Sequence, residues 1–133
     1  MAKYKSGNKL LLVCPCDSGL DFLVCCSPFL SGLAPAPDAR ALMRSRYTAY
    51  TRDDQAYIQA SWHPDTRPAI VSEQEPCQWL GLRVISHQQD GATATVEFIA
   101  RYKVGGRAGR MHELSRFVCE DGHWYYVDGT FPD

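Results

Sequence analysis

Between Ala39 and Tyr50 the apolar residues fall at Ala39, Leu42, Met43, Tyr47 and Tyr50, spaced three, one, four and three. That spacing keeps them on one side of a 3.6-residue turn and predicts an amphipathic helix. Asp38 stands just before it, where a carboxylate can accept a bond from a free amide of the first turn. Arg40, Arg44 and Arg46 are expected mostly off the apolar stripe. A second, shorter helix is expected from Asp53 or Asp54 to about Trp62, where "HPDTRP" stops it with Pro64 and Pro68.

From Trp79 onward the period changes to two, and the residues become β-branched or aromatic. Strands are predicted at 79–86, 92–104, 110–119 and 123–128, joined by "QQDG", "GGRAG" and "EDG", all turn sequences suited to antiparallel hairpins. In the second strand Val96, Phe98, Ala100, Tyr102 and Val104 share one face, and Glu97, Ile99, Arg101 and Lys103 share the other. Helices followed by consecutive hairpins predict an α+β fold, with helices packed on one face of a curved antiparallel sheet. Neither face is purely polar in the later strands, so part of the second face is expected to be covered or to line a cavity.

The length of 133 residues suits one compact domain plus a small appendage, and 45% hydrophobic residues suffice for a real core. A net charge of −1 gives no global preference for nucleic acid or acidic lipid. Arg101, Lys103, Arg107, Arg110 and Arg116 lie close together, and on a hairpin such charges are expected to form a solvated face, not a nucleic-acid site. The start "MAKYKSGNKLLLV" has lysines before apolar residues, but its apolar run is too short for a secretion signal. No stretch reaches the roughly twenty apolar residues of a membrane helix. The expected compartment is the cytoplasm, where thiols stay reduced.

That changes how "CPCDSGLDFLVCC" is read. Cys14, Cys16, Cys25 and Cys26 form two close pairs separated by eight residues, the arrangement a tetrahedral thiolate site needs. Ser18 and Gly19 allow a sharp turn, and Pro15 holds Cys14 extended. Four soft sulfur ligands favour zinc or an iron–sulfur cluster over magnesium or calcium. The spacing matches none of the usual ferredoxin runs, so zinc is the first expectation. Disulfides and a redox dithiol are the rival readings, the first opposed by the compartment and the second by the lack of C-x-x-C near a βαβ pattern. Four protein ligands would close the site and make it structural. Cys77 and Cys119 are expected to be buried small apolar residues.

The same stretch resembles the SEC-C motif, a short zinc-binding module also found at the C-terminus of the preprotein translocase ATPase. The pattern C-x-C-x-S-G followed by C-C carries over as Cys14, Cys16, Ser18, Gly19, Cys25 and Cys26. Members of that family usually have glycine after the second cysteine and a basic residue after S-G; this chain has Asp17 and Leu20 there. Further on, "APAPDARALMRSRYTAY", "SWHPDTRP", "WLGLRVI", "VEFIARY" and "RMHELSRFVCEDGHWYYVDG" are similar to the YchJ-like bacterial proteins. The resemblance implies a SEC-C zinc knuckle at 1–33 and a nuclear-transport-factor-2-like (cystatin-like) domain at 34–133, with "APAPD" as the stiff link. It implies Zn2+ as cofactor and no particular activity.

A cavity between curved sheet and helices would be the place for a ligand, and Glu97, His112 and His63 are the weak candidates for acid–base work there. They serve equally as ion pairs that hold the sheet in register. "GGRAGR" does not open a helix and reads as a turn, not a phosphate cradle. The expected function is a zinc-stabilised adaptor that meets a protein partner through its knuckle, its α+β domain offering a cavity or a homodimer face. The alternative is a small lyase, isomerase or hydrolase using a Glu/His pair.

Overall fold

A computed structural model describes residues 12–69 and 77–132. The basic N-terminal stretch weighed above lies outside the described residues, apart from Leu12 and Val13. A one-turn 3-10 helix (Phe22–Val24) and a short α1 (Ser27–Leu30) follow the first cysteines. Then come α2 (Ala39–Thr51), α3 (Gln55–Ala60) and four strands: β1 (Gln78–Asp90), β2 (Thr93–Val104), β3 (Arg107–Glu120) and β4 (His123–Thr130). The strands form one antiparallel sheet in the order β1-β2-β3-β4.

The caps explain where the helices begin. Asp38 Oδ1 accepts from the Ala41 amide at 2.8 Å, and Asp54 Oδ1 accepts from the Tyr57 amide at 3.1 Å. Each satisfies a first-turn donor that has no partner within its helix. The hairpins run longer than the sequence pattern predicts because their turns are as tight as turns can be. Gly105 and Gly106, at φ 57° and 81°, take both left-handed positions of a two-residue turn, so pairing continues to Val104 opposite Arg107. Asp121 and Gly122 do the same between β3 and β4, at φ 53° and 81°.

Register shifts at Trp79/Gly81 and Val84/Ser86 in β1, and at Arg116/Phe117 in β3, bend the sheet around α2. The face it presents to the helix carries Val96, Phe98, Ala100 and Phe117, all buried. This is the face predicted to hold Val96, Phe98 and Ala100. A cavity lies on this side also, lined by Phe98 and Ala100; on the other side Glu97 and Ile99 are half-buried, and Arg101 and Lys103 are exposed.

Helix α2 is buried on more than one side. Leu42, Met43 and Tyr47 are buried as predicted, and so are Ser45, Thr48 and Arg46. Arg46 corrects the sequence reading. It lies three residues after Met43 and four before Tyr50, on the stripe and not off it. The small hydroxyls are satisfied: Ser45 Oγ donates to the Leu42 carbonyl and pairs with the Tyr57 hydroxyl at 2.7 Å. Cys14, Cys16 and Cys26 belong to the same core cluster as Leu42, Met43, Tyr47 and Leu82. The knuckle therefore packs on α2 as part of the domain. Cys119 packs at the edge of this core, and both it and Cys77 are half-buried, less enclosed than expected. No described helix is long and apolar enough to cross a membrane.

Candidate metal centre

The knuckle closes on itself through backbone bonds. Val13 bridges Asp21, the Cys14 amide donates to the Leu20 carbonyl at 2.9 Å, and Asp17 N–H donates to the Cys14 carbonyl. This loop requires left-handed backbone at Asp17 (φ 63°) and Gly19 (φ 85°). Aspartate tolerates that region better than most residues, which explains how Asp17 can stand where the motif usually has glycine. Its carboxylate is then used: Oδ2 accepts from the Leu82 amide at 2.9 Å and ties the loop to β1. Asp21 caps the 3-10 turn through the Leu23 amide, and that turn delivers Cys25 and Cys26.

The four sulfurs lie within 4.8 Å of one another. Cys16 Sγ is 3.6 Å from Cys25 Sγ, and Cys25 Sγ is 4.0 Å from Cys26 Sγ. A tetrahedron with metal–sulfur bonds of about 2.3 Å has edges of about 3.8 Å, so these separations straddle the required value. Cys14, Cys16 and Cys26 are fully buried and Cys25 is half-buried. All six cysteines are free thiols. The cluster fits a metal ion and, with four ligands from the chain, leaves no position for a substrate.

Proton sharing points the same way. Hydrogen bonds from Cys14 and Cys26 push the Cys16 thiol down. The bonds Cys26 makes to Cys14 and Cys16, with burial, push its own thiol up, and burial pushes Cys25 up to about 11. Four neighbouring thiols cannot all ionise unaided, and a bound cation would take the place of the remaining protons.

Residues of α2 support the ligands from outside. Thr48 Oγ1 donates to Cys26 Sγ at 3.3 Å and lies 3.7 Å from Cys14 Sγ. Arg44 Nη1 donates to the Cys16 carbonyl at 2.7 Å, and the Arg52 guanidinium sits 4.5 Å from the Phe22 ring centroid. Ser18 Oγ lies 3.1 Å from Cys25 Sγ.

The predicted acid–base residues are placed elsewhere. Glu97 and His112 do meet, Oε2 to Nε2 at 2.7 Å, on the sheet face turned away from α2. His63 Nε2 contacts Glu120 Oε2 at 2.9 Å, beyond the end of α3. Arg116 is held instead by a two-pronged contact with Asp128, both bonds at 2.7 Å.

Neither histidine lines the cavity between α2 and the sheet, which measures about 160 Å³. Its polar residues are Arg46, Glu113 and Ser115, among aromatic walls that include Trp62, Trp79 and Tyr126. Glu113 Oε2 accepts from Ser115 Oγ at 2.7 Å and from the Tyr126 hydroxyl at 2.9 Å. The sequence held a signal for these residues: Met111, Glu113, Ser115 and Phe117 alternate on one face of β3, in step with its most buried residue.

The family model described as the YchJ middle NTF2-like domain matches residues 38–129. A UPF0225 protein of Cupriavidus metallidurans is 52% identical over 127 residues, covering 90% of this chain and 89% of that protein. One of Bordetella pertussis is 51% identical over 123 residues, covering 87% and 90%. A solution structure of a SEC-C motif containing protein from Rhodopseudomonas palustris superposes with a TM-score of 0.84 at 37% identity, covering 90% of this chain and 98% of that one. A crystal structure of a SEC-C motif containing protein from Psychrobacter arcticus gives 0.75 at 27% identity, covering 92% and 86%.

Proposed function

Because the chain belongs to the UPF0225 family, with a YchJ-type NTF2-like domain, we propose that it is a zinc-dependent protein-interaction module. Zinc is the metal that four thiolates in a closed tetrahedron suit best, and its role here is to hold the knuckle's shape. The observation that carries the interaction role is what the knuckle leaves outside. Its cysteines point inward, while Leu20, Leu23 and Val24 are 54%, 59% and 71% exposed. Val13, bridged to Asp21 next to them, is 49% exposed. A module this small spends its apolar side chains on its own packing unless another surface covers them, and an apolar edge rimmed by polar residues is the usual mark of a protein contact. The occupant is a protein partner that supplies an apolar strip to this edge.

The Glu/His enzyme reading draws less support, since no histidine is among the residues described around the cavity. A photo-crosslinking residue at Val24, which holds no metal and sits outside the core, tests the interaction reading in cells. A defined protein adduct is expected from the chain with intact cysteines and not from Cys16→Ser. No adduct, or the same adduct from both, would end the proposal.

A further inference from the structure

The cavity on the other side of α2 has polar groups that the chain does not satisfy. Arg46 is buried at 6% exposure, and its Nη1 donates to the Ile58 carbonyl at 2.9 Å and to Ser61 Oγ at 2.7 Å. Its guanidinium lies over the rings of Tyr126 and Trp62, 4.5 and 5.2 Å from their centroids. Among the described residues no carboxylate pairs with it, and its Nε and Nη2 hydrogens have no acceptor. Trp62 Nε1 is buried beside it and also lacks an acceptor among the described residues.

Glu113 is equally buried, with Oε2 doubly bonded and Oε1 accepting nothing among the described residues. Tyr126 links the two, its ring under Arg46 and its hydroxyl on Glu113. Gly129 leaves the space that the Glu113 carboxylate occupies, because a Cβ there would collide with it. The cavity thus brings spare donors on Arg46 and a spare acceptor on Glu113 to the same tyrosine, with aromatic walls around them. Trp62 Nε1 is sealed from solvent and costs free energy while unpaired, and the free atoms of Arg46 and Glu113 open onto the cavity, where a ligand or water must complete them.

Charge and size narrow the ligand. One guanidinium and one carboxylate balance, so a ligand carrying a net charge would leave an uncompensated charge in an apolar enclosure. At about 160 Å³ the cavity is close to the ~150 Å³ apolar cavity known to take up benzene in another protein, and it has room for one ring. We propose that this cavity binds a flat, net-neutral single-ring heterocycle whose ring carbonyl adjoins a ring N–H, the cyclic amide and imide class that includes pyrimidine bases. The carbonyl accepts from Arg46, the N–H donates to Glu113 Oε1, and the ring lies against Trp62 and Trp79. The knuckle and its metal take no part.

The probe is 2-pyridone, titrated into the full chain while the indole N–H resonances of Trp62 and Trp79 are followed, with benzoate, benzylammonium and benzene as comparators. Saturable shifts with 2-pyridone, at least about tenfold tighter than any comparator, are expected. Glu113→Gln turns the free acceptor into a donor and is expected to weaken 2-pyridone about tenfold or more. Preference for benzoate or benzylammonium would overturn the ligand class, and equal affinity for benzene would overturn the polar assignment. No binding at all would mean that water completes Arg46 and Glu113, and the proposal would fail. The preference order is read on the unaltered chain, so it decides the matter even if Glu113→Gln does not fold.

Discussion

Thr48→Val isolates what α2 does for the metal centre. Thr48 is fully buried, and its hydroxyl donates to Cys26 Sγ at 3.3 Å with Cys14 Sγ 3.7 Å away. Valine keeps the β-branched shape and helical rotamer, so packing is nearly preserved and only the donor is lost. A hydrogen bond to a charged acceptor contributes about 1.5–3 kcal/mol, and one to a neutral group about 1. The metal-bound thiolate is the charged acceptor and the protonated thiol the neutral one. The substitution should therefore weaken metal binding by the difference, about 0.5–2 kcal/mol or roughly 2- to 30-fold, which reaches into the range of about 10- to 100-fold seen when a supporting residue of a metal ligand is removed. The metal-free chain should lose at most about 1 kcal/mol. Competition with a chromophoric zinc chelator measures the first effect, and denaturant unfolding of the metal-free protein the second. Thr48→Ser keeps the hydroxyl and should stay near the parent. Equal zinc affinity for Thr48→Val and the parent would refute the reasoning, because the bond to sulfur would then contribute nothing to metal binding.

Other substitutions probe other joints of the fold. Asp17→Gly keeps the left-handed turn but removes the acceptor for the Leu82 amide; hydrogen exchange at Leu82 should accelerate with little change deeper in the sheet. Gly129→Ala places a Cβ against the Glu113 carboxylate and should cost about 1–3 kcal/mol in unfolding free energy. Combined with Glu113→Ala the two effects should sum to less than their separate values, since the collision is then gone. Asp128 is held below the usual carboxylate range by its bonds from Arg116. A depressed folded-state pKa gives stability that is present above the unfolded value of about 3.9 and is lost as pH falls through the folded one. Asp128→Asn should therefore flatten the stability profile below about pH 4, and the difference should shrink in high salt because both partners are largely exposed.

The readable parts of the fold were those fixed by neighbours in sequence. The stripe Ala39–Tyr50, the cap Asp38, the alternation from Trp79 and the tight turns at Gly105–Gly106 and Asp121–Gly122 are all local, and each predicted element is present. The cysteine cluster was legible for the same reason, with ligands at most twelve positions apart. Its supports were not. Thr48 to Cys26, Arg44 to Cys16 and Asp17 to Leu82 join residues 22, 28 and 65 positions apart, and no periodicity reports such contacts. The cavity was half legible. Alternation puts Glu113 with Phe117 and His112 with Arg116, but β3 carries Leu114 on the second face, so hydropathy alone did not say which face turned inward. Arg46 was misplaced because an arginine is read as a solvated residue, although its spacing from Met43 and Tyr50 put it on the buried stripe.

The most direct test of the account is metal analysis of protein purified without chelator, with a thiol count before and after the metal is removed. One zinc per chain is expected, with four thiols becoming reactive only on removal and Cys77 and Cys119 reacting in both states. A chain free of metal, with Cys25 and Cys26 freely reactive from the start, would contradict the zinc knuckle and the interaction surface built on it.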